Sequence, residues 1–355
     1  MLQGDTPMND KYQIGSSFFV VLLITVVVLL SLIISLFAIV TRDNVSDNNK
    51  EQTTDISGDT DYVSAALDNS PIFKTQCSRD SYIIGQAPNV VQITDTTITS
   101  QHTILVKLSS FESVAEKDAD VIIYPASMTK VMTLIVACEA ITDLNANLTV
   151  TEDIAKFAED NDGSGVGLKV GESYRVEDIL YLISYQSDTI ASHLIARHVA
   201  GSEEAFVALM NDKAAELGLT NTKFANCTGL YNDNNYTTCR EMASIMAYAM
   251  DNEMAYNCLS SYVGRPLTVG GVDCIFYSGW YSSRFSDNPK FTGGKIIAGK
   301  TGYTDESGYT LVSCADIEGE KYINVIVTRT NKESNVKVQE KPSADQVKYI
   351  YKTYS

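Results

Sequence analysis

Residues Gly293–Thr328, GGKIIAGKTGYTDESGYTLVSCADIEGEKYINVIVT, read as three short strands separated by turn residues, with Lys300-Thr301-Gly302 at the end of the first. Gly302 has no side chain, so another backbone can approach this strand closely, as strand addition requires. Lys300 brings a positive charge able to hold a carboxylate. Working outward, helix signals crowd between Ser127 and Asp251, and strand signals cluster towards both ends of the region that surrounds them. That segregation indicates an α+β fold: an antiparallel sheet flanked by helices, with a helical subdomain beside it.

Two further motifs precede the Lys-Thr-Gly. Ser127-Met128-Thr129-Lys130 opens the apolar helix ASMTKVMTLIVACEA, where residues three apart share a face, so the Lys130 amine sits beside the Ser127 hydroxyl. A serine without a histidine partner needs a base, and an amine partly stripped of water can be neutral and take its proton. Ser187-Asp188-Thr189 falls between VEDILYLISY and TIASHLIARHV, which places the Ser187 hydroxyl in a turn between two helices. Singly, each motif reads equally as a helix cap or a solvated lysine. Together, in this order and on these elements, they describe a serine acyl-transfer site.

With these motifs the chain resembles the low-molecular-mass penicillin-binding proteins that act as serine-type D-alanyl-D-alanine carboxypeptidases. The resemblance runs from about Ile104 to about Thr330 through YPASMTKVMT, VGLKVGESYRVEDIL, AFVALMNDKAAELGLTNTKFANCTGL, CREMASIMAYAM and GKTGYTDESGYTLV. It implies the β-lactamase/transpeptidase-like form of the α+β fold. It also implies that Ser127 attacks the carbonyl between two terminal D-alanines of a peptidoglycan stem peptide, that Lys130 accepts its proton and that Ser187 passes a proton to the leaving D-alanine. The implied oxyanion hole is formed by the backbone N–H groups of Ser127 and Tyr303; Lys300, Thr301 and Gly302 line the substrate strand. β-Lactam antibiotics follow as covalent inhibitors, and no cofactor or metal is expected. Arg329 is either a second positive charge for the substrate carboxylate or an edge-strand surface charge.

The family's second motif is most often Ser-Gly-Asn, so Thr189 stands where an amide would touch the substrate, with less reach and one hydrogen-bonding group fewer. Asp188 stands in place of glycine, either favouring protonated Lys130 or pointing to solvent. Two alternatives follow: a penicillin-binding fold that binds without turnover, and a serine β-lactamase. The latter needs a further acid, and no convincing Glu-x-x-x-Asn element lies between Ser187 and Lys300.

At the other end, Phe18–Val40 is apolar except for Thr25, Ser31 and Ser35, long enough to span a hydrocarbon core of roughly 30 Å. The expected organisation is a cytoplasmic tail over 1–13, an uncleaved signal anchor over 14–40, a polar stalk over 41–75 and a catalytic domain over 76–355 outside the cell. After the last predicted strand the chain suffices for one terminal helix, without the extra β-rich domain and amphipathic anchor of many relatives. The net charge of −17 excludes a phosphate-binding surface and hence a nucleic-acid partner. Of the seven cysteines, Cys138 and Cys314 read as core residues; Cys227 with Cys239 and Cys258 with Cys274 are near enough to bridge, and no spacing matches a zinc site. His198 reads as a core or boundary histidine below Leu194, His102 carries no signal, and Glu203-Glu204 reads as a solvated helix start. The Asn-x-Ser/Thr triplets at Asn44, Asn147, Asn226 and Asn235 carry no message in a chain of bacterial type.

Overall fold

The chain before the first motif forms three strands, β1 (Gly85–Gln92), β2 (His102–Lys107) and β3 (Glu112–Lys117). A 3-10 turn, Ala126–Thr129, opens α1 (Lys130–Ala140), and β4 (Asn147–Thr149), α2 (Glu152–Asp160), β5 (Ser173–Arg175), α3 (Val176–Tyr185), α4 (Thr189–Ala200), α5 (Glu203–Glu216), α6 (Cys239–Asp251) and α7 (Glu253–Ser260) follow. A hairpin of β6 (Arg265–Val269) and β7 (Val272–Phe276) and a π-helical turn, Trp280–Arg284, lead to β8 (Lys290–Phe291), β9 (Gly294–Thr304), β10 (Gly308–Ile317) and β11 (Glu320–Val327); α8 (Ala344–Tyr354) comes last. The computed structural model describes residues 81–286, 288–328 and 343–355. The expected tail, anchor and stalk lie outside the described residues, as does Arg329. Among the described residues no helix is long and apolar enough to cross a membrane.

The principal sheet has seven strands in the order β1-β3-β2-β11-β10-β9-β8. The three strands read from Gly293–Thr328 are β9, β10 and β11, joined by tight turns and paired antiparallel, Lys300 opposite Val312 and Val312 opposite Val325, with a register shift in the β9–β10 ladder between Cys314 and Ala315. The expectation of a wholly antiparallel sheet needs correcting, because β1 pairs parallel with β3 and the sheet is mixed. The cause is topological. Residues 93–101 carry the chain back so that β1 and β2 run in opposite directions, but the tight β2–β3 hairpin inserts β3 between them. A strand antiparallel to β2 must then be parallel to β1.

Both faces of β11 are covered, which is why YINVIV carries no charge and, apart from the buried Asn324, is apolar on both sides of the strand. In β2, Ile104 and Val106 face the helices while Leu105 faces α8. The same pleat sends Val312 and Cys314 to the helical side and Leu311 and Ala315 to the other. α8 seals that second face. Its Tyr351 is fully buried, donates from its hydroxyl to Ser313 O at 2.8 Å and accepts from Asn324 N at 3.2 Å. On the helical side, α1 is buried from Lys130 to Ala137, an apolar-all-round helix running through the middle of the molecule.

Candidate active site

Ser127 sits in the 3-10 turn, not yet in the α-helix, and the turn is locked from three sides. Thr310 Oγ1 on β10 donates to Pro125 O at 3.2 Å, and Asn235 Nδ2 donates to Thr129 Oγ1 at 3.1 Å. The third contact is Gly229, whose φ is +79°; a Cβ there would lie 2.0 Å from Ala126 O. Gly302 on β9 approaches from the sheet, and a Cβ on it would lie 2.7 Å from Ser127 N and 2.5 Å from Thr310 Oγ1. The glycine of the Lys-Thr-Gly motif is therefore also what lets β9 close against the Ser127 turn.

Lys130 Nζ donates to Ser127 Oγ at 3.4 Å and to Thr228 O at 2.5 Å. Its ammonium is deeply buried, and loss of hydration pushes its pKa down to about 8. Asp188 does not point to solvent. It is fully buried, caps α4 by accepting from Ala191 N at 2.9 Å, and accepts from Val166 N at 2.8 Å. Burial raises its pKa, and its attraction for Lys130 is outweighed there by desolvation. Asp188 is thus chiefly a helix cap that ties α4 to the 163–166 loop.

Ser187 lies where the sequence places it, in the turn between α3 and α4, with φ +56°, a left-handed conformation that a non-glycine residue holds only under constraint. Ser164 Oγ donates to its carbonyl at 2.7 Å, and Gln186 Nε2 next door donates to Tyr277 O at 2.8 Å. Lys300 Nζ reaches across from β9 and donates to Ser187 Oγ at 3.0 Å and to Thr301 O at 2.8 Å. Burial drives the Lys300 pKa well below its ordinary value, and the charge of Lys130 pushes it further down. Two lysines and two serines thus converge where the sheet meets the helices, paired Lys130 with Ser127 and Lys300 with Ser187. Tyr303 is half exposed, its ring 4.7 Å from that of Tyr309. Thr189 is buried beneath the loop, its side chain packed against Gly163.

Sequence reasoning missed the segment that seats Lys130. Asn226 Oδ1 accepts from Gly229 N at 2.7 Å and from Thr228 N at 3.2 Å, Asn226 Nδ2 donates to Leu230 O at 2.9 Å, and Thr133 Oγ1 donates to Cys227 O at 2.7 Å. The signal was the Asn-x-x-Gly spacing of ANCTGL, which suits a side-chain-closed turn with a left-handed glycine. His198 is exposed rather than packed, because it lies in the last turn of α4, beyond the covered face. The buried histidine of that helix is His193. His102 opens β2 and its Nδ1 lies 3.0 Å from Asp118 O. The paired cysteines considered from spacing are not bridged: Cys227, Cys239, Cys258 and Cys274 are all free thiols.

A serine with a buried amine in reach, a second serine–lysine pair and a glycine-bearing strand come together on a mixed sheet covered by helices. The chain belongs to the peptidase S11 family, D-alanyl-D-alanine carboxypeptidase, whose model matches residues 89–331. It is 32% identical over 238 residues to the D-alanyl-D-alanine carboxypeptidase DacF of Bacillus subtilis, covering 66% of this chain and 59% of the relative. It is 33% identical over 230 residues to DacA of Escherichia coli, covering 61% and 53%. The chain therefore spans a little over half the length of these relatives. Its fold matches the D-alanyl-D-alanine carboxypeptidase of Mycobacterium tuberculosis with a TM-score of 0.62 at 26% identity, covering 75% of this chain and 94% of the other. Penicillin binding protein 5 of Haemophilus influenzae shares the fold with a TM-score of 0.60 at 24% identity, covering 73% and 70%.

Proposed function

We propose that this protein is a serine-type D-alanyl-D-alanine carboxypeptidase that removes the terminal D-alanine of peptidoglycan stem peptides through an acyl-enzyme on Ser127. The observation that carries this reading is the contact of a buried, easily deprotonated Lys130 with Ser127. Neutral Lys130 takes the Ser127 proton as Oγ attacks the penultimate carbonyl. The N–H groups of Ser127 and Tyr303 receive the oxyanion, each such donor contributing roughly 3 to 4 kcal/mol to barrier lowering. The C–N bond breaks as Ser187 supplies its proton to the departing amine and takes in its place the one Lys130 accepted from Ser127, so that both return to their starting states. Lys300, adjoining Ser187, charges when the substrate's carboxylate arrives, because that anion restores the stabilisation that burial removed. Thr301, Gly302 and Tyr303 offer their strand to the peptide, and water then hydrolyses the ester.

β-Lactams, which present the same carbonyl, would acylate Ser127 irreversibly on the same scale of contacts. The apolar run Phe18–Val40 supports a single-pass membrane protein with the catalytic domain on the outer side, where the stem peptides lie. The test is D-alanine release from a diacetyl-L-Lys-D-Ala-D-Ala peptide by the native protein and by Ser127→Ala. Release by the former alone is expected. Penicillin binding without peptide turnover would instead favour a fold that binds but no longer catalyses, and nitrocefin turnover would favour a β-lactamase.

A further inference from the structure

His193 in α4, Glu203 at the start of α5 and Cys227 in the segment after α5 share no sequence spacing, yet one donor atom from each lies within 4.8 Å of the others. The Cys227 thiol donates to Glu203 Oε1 at 3.3 Å, the same oxygen accepts from Cys227 N at 3.1 Å, and His193 Nδ1 lies 3.7 Å from Glu203 Oε2. The His193 ring is held against Phe157 with centroids 4.3 Å apart, and it is only 8% exposed. Its Nε2 is buried without a hydrogen-bond partner among the described residues. Glu203, expected from sequence to be a solvated helix start, is partly buried, its side chain 23% exposed, and it gives the cluster its opening to solvent.

Cys227 Sγ and His193 Nδ1 approach different oxygens of Glu203, at 3.3 and 3.7 Å, and one donor from each residue lies within 4.8 Å of the others. A tetrahedron built on metal–ligand bonds of about 2.0 to 2.3 Å has edges of about 3.3 to 3.8 Å, so binding requires the side chains to close by about 1 Å. A thiolate, an imidazole and a carboxylate together suit zinc and its neighbours rather than calcium or magnesium. A buried thiolate and carboxylate are each costly alone, whereas a doubly charged cation between them leaves the cluster neutral.

We propose that His193, Glu203 and Cys227 form a binding site for one zinc-class divalent cation. On binding, the Cys227 S–H bond breaks, its proton leaves to solvent and a sulfur–metal bond forms, while the neutral imidazole and the carboxylate each donate a lone pair. No electron is transferred. The site adjoins the catalytic machinery without entering it. Cys227 O accepts from Thr133 Oγ1 on α1, and the next carbonyl, Thr228 O, holds Lys130. A bound cation would therefore pin α4, α5 and the segment that seats the base, as a structural clamp.

The test is titration of cobalt(II) into the detergent-solubilised full chain under reducing conditions. One equivalent is expected to bind, with a thiolate-to-cobalt charge-transfer band that zinc abolishes. Cys227→Ser should lose the band and Cys274→Ser, in the β6–β7 hairpin, should keep it. Glu203→Gln, on a partly exposed side chain, should weaken binding by at least about tenfold while melting as the native protein does. That variant keeps the test open if Cys227→Ser does not fold. No band in native protein that melts cooperatively, or a band that survives Cys227→Ser or is unchanged in Glu203→Gln, would overturn the assignment.

Discussion

At the scale of single residues, the proposed role of Lys130 as base predicts a pH dependence. Its pKa falls from 10.5 to about 8 on burial, so the fraction of neutral base rises with pH until about 8 and then levels. The rate of acylation by a labelled penicillin should climb about tenfold per pH unit below that point, as expected for one titrating group. A flat profile from pH 6 to 9 would remove Lys130 from the role of base. The same depression has a sign for stability. Between about 8 and 10.5 the unfolded chain binds a proton that the native protein does not, so this group's contribution rises with pH across that window and falls as pH drops through about 8. Thr189 gives a second expectation. Because its side chain packs against Gly163, Thr189→Val, close in volume, should change peptide turnover by less than about twofold while costing about 1 kcal/mol or less if its hydroxyl makes no net bond. A tenfold loss of turnover without loss of stability would show the hydroxyl acting on substrate. Ser127, Lys130, Ser187 and Lys300 were all legible as a set because each motif pins a side chain to a local element. The burial of Asp188 was not, since beside its local cap bond to Ala191 N its other carboxylate oxygen is met by Val166 N of the 163–166 loop, which is distant in sequence.

At the scale of elements, the segment that carries Asn226, Thr228 and Gly229 is as much part of the site as the turn that carries Ser127. Gly229→Ala puts a methyl group 2.0 Å from Ala126 O, a backbone atom that cannot swing aside as a side chain would, so the Ser127 turn must shift. Acylation should fall by at least about a hundredfold, since a displacement of about 1 Å costs that much, in protein that still shows native helix content. Retention of full acylation would mean that the turn is held elsewhere. α8 offers a test of the sheet's other face. Tyr351→Phe leaves Asn324 N and Ser313 without their buried partner, and thermal or urea unfolding should register a loss of about 1 to 3 kcal/mol. A shift below about 0.5 kcal/mol would mean that the Tyr351 hydroxyl adds nothing net to the attachment of α8. The three-strand run could be read from the sequence because turn residues separate its strands, and the terminal helix because the chain left after them suffices for one. The parallel β1–β3 pair could not, because insertion of a hairpin between two strands depends on pairing choices that no single strand's pattern records.

At the scale of the whole molecule, the sheet and the helical region are joined through the residues that would do the chemistry. β9 and β10 press on the Ser127 turn through Gly302 and Thr310, and Lys300 spans from the sheet to Ser187 on the helical side. The site thus forms only when both halves of the fold are in register, which explains why motifs so distant in sequence keep their order and their elements. The acidity of the chain, net −17, leaves these two buried lysines as a local exception able to receive a carboxylate. The His193–Glu203–Cys227 cluster was invisible to spacing for the same reason: α4, α5 and the following segment meet only in the folded chain. The central claim, that Ser127 is the acyl-transfer nucleophile, is tested most directly by treating the full chain with a penicillin and locating the added mass by peptide mass spectrometry. One adduct, on the peptide bearing Ser127 and absent from Ser127→Ala, is the predicted result. An adduct on another residue, or none in protein that melts cooperatively, would contradict it.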